Sequence, residues 1–172
     1  NRFNRMYNTD YFPEPYAYNF TGELIKIPGL DGSTKMGKSE AEGNAIFLAD
    51  APEVIRKKVM RAVTDSGPAE QGQAMSQPIE NLFNLMRAVS AADTVDHFMD
   101  TYKAGSIRYG DMKKQLAEDI IAFTSPLRER ILELSADDAY LSKVARMGAE
   151  KAHASASQTI REVRSIIGFK PF

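Results

Sequence analysis

From about residue 50 onward, apolar side chains recur at helical spacing, whereas the first fifty residues show no such period. Ile55, Val59, Ala62 and Val63 share one face. Ahead of them Asp50-Ala51-Pro52-Glu53 reads as a capping box, with Asp50 accepting from first-turn N–H groups and Glu53 reaching back. Polar residues 67–73 predict a loop, and Pro78 then opens a second helix along the stripe Ile79, Leu82, Phe83, Leu85, Met86 and Val89. A third helix is expected over residues 94–103, with Val95, Phe98, Met99 and Tyr102 inward and Gly105 just past its end. Residues 111–134 predict a long helix that Pro126 should kink or divide, Ser125 capping the second piece. The last helix, over residues 137–167 and stopped by Gly168, is expected to bury Tyr140, Leu141, Val144, Met147, Ile160, Val163, Ile166 and Ile167.

The opening segment differs in texture. Asn8-Thr9-Asp10 and Pro13-Glu14-Pro15 break regular structure among the aromatic residues Tyr7, Tyr11, Phe12, Tyr16, Tyr18 and Phe20. Stacking on bases is one use for such rings; packing a loop against another part of the protein is the more ordinary one. Residues 23–27 could form a short strand.

Composition narrows the classes. The 172 residues are 43% hydrophobic, enough for one core, and 22 basic against 23 acidic side chains give a net charge of -1. That balance argues against a general RNA-coating protein, although a protein that reads one RNA through local patches remains compatible with it. With no cysteine there is neither disulfide nor thiolate zinc. No apolar run approaches the roughly 18 residues of a membrane span and no signal peptide is visible, so a cytoplasmic protein is expected. His97 and His153 lack metal-ligand spacing, and no nucleophilic triad can be assembled. Glu118, Asp119, Glu129 and Glu133 read as helix-surface charges, as do Arg56, Lys57, Lys58 and Arg61 unless they face an RNA.

Candidate chemistry concentrates in Lys35-Met36-Gly37-Lys38-Ser39, preceded by Ile27-Pro28-Gly29-Leu30-Asp31-Gly32-Ser33-Thr34. Glycines free backbone N–H groups to face an anion, and two lysines bring ammonium groups to polyphosphate oxygens. Residues 32–39 fit the P-loop pattern G-x-x-x-x-G-K-[ST]. A P-loop, however, needs a long helix opening at its Lys-Ser pair and a parallel sheet behind it. Here Gly43-Asn44 follows within about a turn, and the rest of the chain is helical in period.

The loop resembles the Lys-Met-Ser-Lys-Ser signature of class I aminoacyl-tRNA synthetases, with Gly37 in place of the central serine. Surrounding motifs are similar to those of the tryptophanyl-tRNA synthetases. They are Arg2-Phe3-Asn4, Ile27 to Gly32, Arg56-Lys57-Lys58-Val59 with Ala62-Val63-Thr64-Asp65-Ser66, Asn81 to Leu85, Tyr109 to Lys113, Gly148 to Ala152, and Arg161-Glu162-Val163-Arg164. A tyrosyl-tRNA synthetase shares the loop but matches the later helices less well.

The resemblance implies a mainly α chain. Residues 1–49 would be the remnant of an α/β Rossmann-like catalytic domain carrying the loop at 35–39, and residues 50–172 a helical bundle of anticodon-binding type. It implies ATP, as its Mg2+ complex, and L-tryptophan as substrates, and tRNA(Trp) as partner. By the resemblance Lys35 and Lys38, with Lys38 the better candidate, would stabilise the leaving phosphates. Main-chain groups of Lys26 and Ile27 would border the adenine, and Lys35, Met36 as a packing anchor, Gly37, Lys38 and Ser39 would complete the nucleotide site. The family's other signature and most of its tryptophan pocket precede residue 1, and so does most of its homodimer contact. The chain alone is therefore expected to be an inactive C-terminal part, arising by truncation or processing, or a helical tRNA-binding module without catalysis. Arg146, Lys151, Arg161 and Arg164 on the last helix are candidates for phosphate contacts.

Overall fold

The computed structural model describes residues 2–18, 26–33, 35–37, 43–68 and 73–169. Among these the regular structure is six α-helices and no strand: α1 (Arg2–Tyr7), α2 (Pro52–Met60), α3 (Gln77–Val89), α4 (Ala92–Lys103), α5 (Tyr109–Ser135) and α6 (Asp138–Ile166). The expected strand at 23–27 lies mostly outside the described residues, and Lys26 and Ile27 are irregular.

The chain divides into two units, Ile25–Glu133 and a second made of Asn1–Leu24 with Leu134–Phe172. The first holds the hydrophobic core. There Ile55 and Val59 of α2, Ile79, Leu82, Phe83 and Met86 of α3, and Met112, Leu116 and Ile120 of α5 are at most 3% exposed. Each set recurs at three or four residues, so each helix turns one face inward. Leu30 joins them from the loop side, and α3 packs on α4 through the edge-to-face pair Phe83 and Tyr102, 6.2 Å between centroids. On the surface, Arg56 Nε and Nη2 donate to the two carboxylate oxygens of Glu118 at 2.7 and 3.0 Å, linking α2 to α5.

The second unit is built differently. Phe3, Tyr7, Tyr11 and Phe12 stack on one another at 4.8–6.5 Å, and the Asn4 side chain donates to the Phe12 carbonyl and accepts from its N–H. Part of the aromatic cluster is thus locally self-packed, Tyr16 and Tyr18 are exposed, and Phe20 lies outside the described residues. Helix α6 buries none of its residues.

Three expectations are corrected. Asp50 does not cap α2: Ala51 is the N-cap, without a side-chain bond, and Asp50 Oδ2 accepts instead from Phe47 N–H at 2.9 Å and Lys58 Nζ at 2.6 Å. The ammonium is the stronger partner for a carboxylate, and Pro52 leaves one fewer first-turn donor to satisfy. Pro126 does not divide α5. The helix passes through it, and Ser125 Oγ bonds back to the Ile121 carbonyl instead of capping. The Ala122 carbonyl that loses its donor at Pro126 belongs to an exposed residue and can turn to water. Finally, Tyr140, Leu141, Val144, Met147 and Ile160 of α6 are exposed, as are Val63, Phe123 and Leu127, because periodicity marks which side of a helix is apolar, not that something covers it. Asp137 does cap α6, accepting from Tyr140 N–H at 2.8 Å, and Gly105 and Gly168 take positive φ beyond α4 and α6.

Candidate functional site

The glycine-rich run before the lysines is folded on itself by backbone bonds. Met36 N–H donates to the Ile27 carbonyl at 2.7 Å, closing the loop at its neck, and Gly29 N–H donates to the Ser33 carbonyl at 3.1 Å inside it. The Ser33 side chain and the Ser33 N–H, the latter 2.9 Å from Asp31 Oδ1, both hydrogen-bond to the Asp31 carboxylate and hold it below its ordinary range. Gly32 takes φ +87°, a conformation that favours glycine, while a side chain on it would press Pro78.

Two asparagines tie this run to the core. Asn44, 2% exposed, accepts Leu30 N–H on its backbone carbonyl at 3.1 Å and Asp31 N–H on Oδ1 at 3.5 Å. Asn81 of α3 donates from Nδ2 to the Ser33 carbonyl at 2.9 Å and accepts from Gln77 Nε2 at 3.0 Å. Val63 N–H donates to the Leu30 carbonyl at 2.9 Å, so the stretch after α2 fixes the run from a third side. Met36 then packs half-buried against the core, its sulfur 3.4 Å from Ile46 N.

The sequence-chosen residues therefore fall into two groups. Lys26, Ile27, Lys35, Met36 and Gly37 come together around the neck of one loop, with Lys35 exposed and in no ion pair among the described residues. Lys38 and Ser39 lie outside the described residues. An anchored loop with an exposed ammonium that no described residue neutralises suits an anionic ligand. No cluster of metal-ligating side chains occurs among the described residues. A concavity of about 780 Å³, lined by Asn4, Arg5, Asn8, Thr9, Asp10 and Glu14, is an open polar surface with no described loop residue among those that line it.

Sequence reasoning missed the anchors. Asn81 had a visible signal, being a polar residue within the apolar stripe of α3, and Asn44 had none beyond the glycine before it. It missed equally the polar cluster between α2 and α5. There Tyr109 OH donates to Asp65 Oδ1 at 2.8 Å, and Ser76 Oγ donates to the other oxygen of that carboxylate. Burial and the Asp65 carboxylate push the Tyr109 hydroxyl pKa up. Lys113, 8% exposed, donates to the Ala62 carbonyl at 2.7 Å, and burial lowers its pKa. These are the structural counterparts of the Thr64-Asp65-Ser66 and Tyr109-to-Lys113 motifs, and they hold the end of α2 against the start of α5.

The family profile described as "tRNA synthetases class I (W and Y)" matches residues 1–125, and the chain belongs to that family. Within it, the similarity is to tryptophan–tRNA ligases. The chain is 56% identical over 169 residues to that of Porphyromonas gingivalis, with 98% of this chain and 51% of that protein covered. It is 36% identical to Tryptophan–tRNA ligase 1 of Streptomyces coelicolor, covering 99% of this chain and 49% of that protein. The chain thus spans about half the length of these curated relatives. Among solved structures, the tryptophanyl-tRNA synthetase of Campylobacter jejuni complexed with ADP and tryptophan superposes with a TM-score of 0.65 at 26% identity, over 86% of this chain and 44% of that one. The tyrosyl-tRNA synthetase of Aeropyrum pernix follows at 0.51 and 25%, over 70% and 38%. No described helix is long and apolar enough to cross a membrane.

Proposed function

We propose that the full-length protein activates L-tryptophan with ATP to tryptophanyl-adenylate and transfers it to tRNA(Trp), and that this chain supplies the loop that handles the leaving phosphates. The observation that carries the reading is the closed loop, tied by Met36 N–H to the Ile27 carbonyl with Lys35 exposed at its rim and in no ion pair among the described residues, in a chain of this family. The tryptophan–tRNA ligases it is similar to, and the neighbour solved with ADP and tryptophan, support the choice of substrates.

In activation the amino-acid carboxylate attacks the α-phosphate, the bond to the β-phosphate breaks, and pyrophosphate departs with the accumulating negative charge. Lys35 and, three residues on, Lys38, the better candidate by family analogy, would answer that charge more strongly in the transition state than in the ground state. Gly37 offers an unobstructed backbone N–H where a serine would add a hydroxyl. Main-chain groups of Lys26 and Ile27 would border the adenine, Met36 anchors the loop, and Ser39 completes the nucleotide contacts. ATP would arrive as its Mg2+ complex.

At the domain level, we assign residues 1–49 to the end of a Rossmann-like catalytic domain and residues 50–172 to a helical domain that meets the anticodon arm. The whole protein would act as a cytoplasmic homodimer, and this chain alone would not aminoacylate. The test is tryptophan-dependent ATP–pyrophosphate exchange and tRNA charging by the full-length gene product, with tyrosine as the competing amino acid. Lys35→Ala should lower kcat roughly 10²- to 10³-fold, as removal of one transition-state donor does. Exchange that prefers tyrosine, or ATP hydrolysis that needs no amino acid, would overturn the assignment.

A further inference from the structure

Among the described residues, Lys113 of α5 is the only charged residue that is buried. Lysines are rarely buried without a charged partner, because taking an ammonium out of water is costly. Here the hydrogen-bond partners among the described residues are neutral: the Ala62 carbonyl at 2.7 Å and Thr64 Oγ1 at 3.4 Å. A methionine would fill much the same space without that cost. Packing alone does not explain an ammonium at this position.

Its bond to Ala62 leads to the candidate loop. Ala62 C=O and Val63 N–H belong to one peptide group, and that N–H donates to the Leu30 carbonyl at 2.9 Å. Leu30 is held from its other side by the Asn44 carbonyl, which accepts its N–H at 3.1 Å. Three residues before Leu30, the Ile27 carbonyl closes the neck on Met36 N–H, next to Lys35. A cation on the carbonyl of a peptide group polarises it and makes its N–H a stronger donor, so the two bonds reinforce each other. Capping of α2 does not account for the arrangement. Ala62 lies one position past the C-cap Arg61, and the last-turn carbonyls of Lys57, Lys58 and Val59 accept from the Arg61 and Ala62 N–H groups.

We propose that Lys113 is a positioning residue for the candidate nucleotide loop: through the Ala62–Val63 peptide it fixes Leu30, and with it the neck that carries Lys35. It acts without touching substrate or the reacting phosphates. Its contribution is to hold Lys35 where negative charge develops, and small displacements of such a group cost rate because the stabilising geometry is narrow. The inference rests on the proposed aminoacylation reading and adds to it a residue of α5 that supports the loop.

The test compares the full-length gene product with its Lys113→Met variant in tryptophan-dependent ATP–pyrophosphate exchange, at a temperature where circular dichroism shows both folded. The expected result is a kcat roughly tenfold lower with KM for ATP and tryptophan within about twofold, as for an interaction lost from the transition state. Introduced into Lys35→Ala, the same substitution should cost less than about threefold more, since a residue that acts through Lys35 then has nothing left to position. Tyr109→Phe is the control: it removes the neighbouring bond between α5 and Asp65 and should leave kcat within about twofold. An unchanged kcat in Lys113→Met, a loss that falls on KM instead, the full loss repeated in the Lys35→Ala background, or an equal loss in Tyr109→Phe overturns the assignment. If Lys113→Met does not fold, Lys113→Gln, with a shorter and uncharged donor, carries the same comparison. Absence of tryptophan-dependent exchange in the wild-type protein would instead defeat the aminoacylation reading. Lys113 is then judged by hydrogen exchange: Val63 and Met36 amides that exchange roughly tenfold faster in the variant, relative to Phe83, support its hold on the loop, and unchanged ratios overturn it.

Discussion

Gly29 shows how tightly single residues constrain the loop. A Cβ built there would fall on Asn44 Oδ1, Ser33 Oγ and Asp31 Oδ1, well inside van der Waals contact. Those are the atoms that hold the run in place, so relieving the overlap means breaking the anchor. Gly29→Ala should destabilise the core unit by about 1–3 kcal/mol, the usual cost of overpacking a filled site. Gly110, near the start of α5, has nothing within 4 Å of such a Cβ, and there alanine should be neutral or stabilising by up to about 1 kcal/mol. Thermal melts of the two variants against wild type check the ordering, and a Gly29→Ala protein that melts with wild type would show the anchor to be slack. The sequence signalled glycines useful to a phosphate loop, but not this reason for Gly29, because the crowding comes from Asn44, fifteen positions along the chain. Lys35 could be nominated from sequence because the chemistry it would supply is local. Asn81 could be noted as a polar residue in an apolar stripe, but neither it nor Asn44 could be matched to its loop partner, 48 and 13 positions away.

At the scale of elements, most helices could be read directly, since amphipathic period, Pro at the first turn and Gly past the end are local signals. The failures are those of competition between neighbours. Asp50 is a good capping residue that met a lysine, and Pro126 is a helix breaker held in a helix whose other contacts outweigh it. Thr124 and Ser125 bond back to the Ile120 and Ile121 carbonyls at 2.8 and 2.7 Å, just ahead of the proline. Side-chain bonds of this kind slightly weaken and bend a helix, so α5 carries its least stable turn at this point. Replacing Pro126 by alanine restores the N–H that the Ala122 carbonyl lacks and removes the ring's clash with the preceding turn. The expected outcome is a gain of about 1–3 kcal/mol, read as a raised denaturant midpoint with an unchanged slope. A lowered midpoint would mean that the proline's restriction of the unfolded chain outweighs the helix defect.

Across the whole molecule the two units differ in what holds them. Every residue of the described hydrophobic core, from Leu30 to Ile120, lies in the unit Ile25–Glu133, while α6 buries none and exposes Tyr140, Leu141, Val144, Met147 and Ile160. A helix with no fully buried residue depends on propensity, an N-cap such as Asp137, short-range pairs such as Gln158 with Glu162, and the hydrogen bonds of the Tyr11 side chain with Glu162 and Thr159. Such terms add a few tenths of a kcal/mol each, whereas burying Phe83 or Met86 contributes on the order of 1.5–3 kcal/mol apiece. Opening of α6 should therefore be far less costly than opening of α3. In native-state hydrogen exchange on this 172-residue chain, α3 amides should report the global stability. The middle of α6 should exchange roughly 10²-fold faster or more, corresponding to a gap of about 3 kcal/mol. The exposed stripe makes the same point by another route, because an apolar helix face of this extent should bind a hydrophobic dye. Equal protection of α3 and α6 would contradict the account, since it would require α6 to be held by full burial that none of its side chains has.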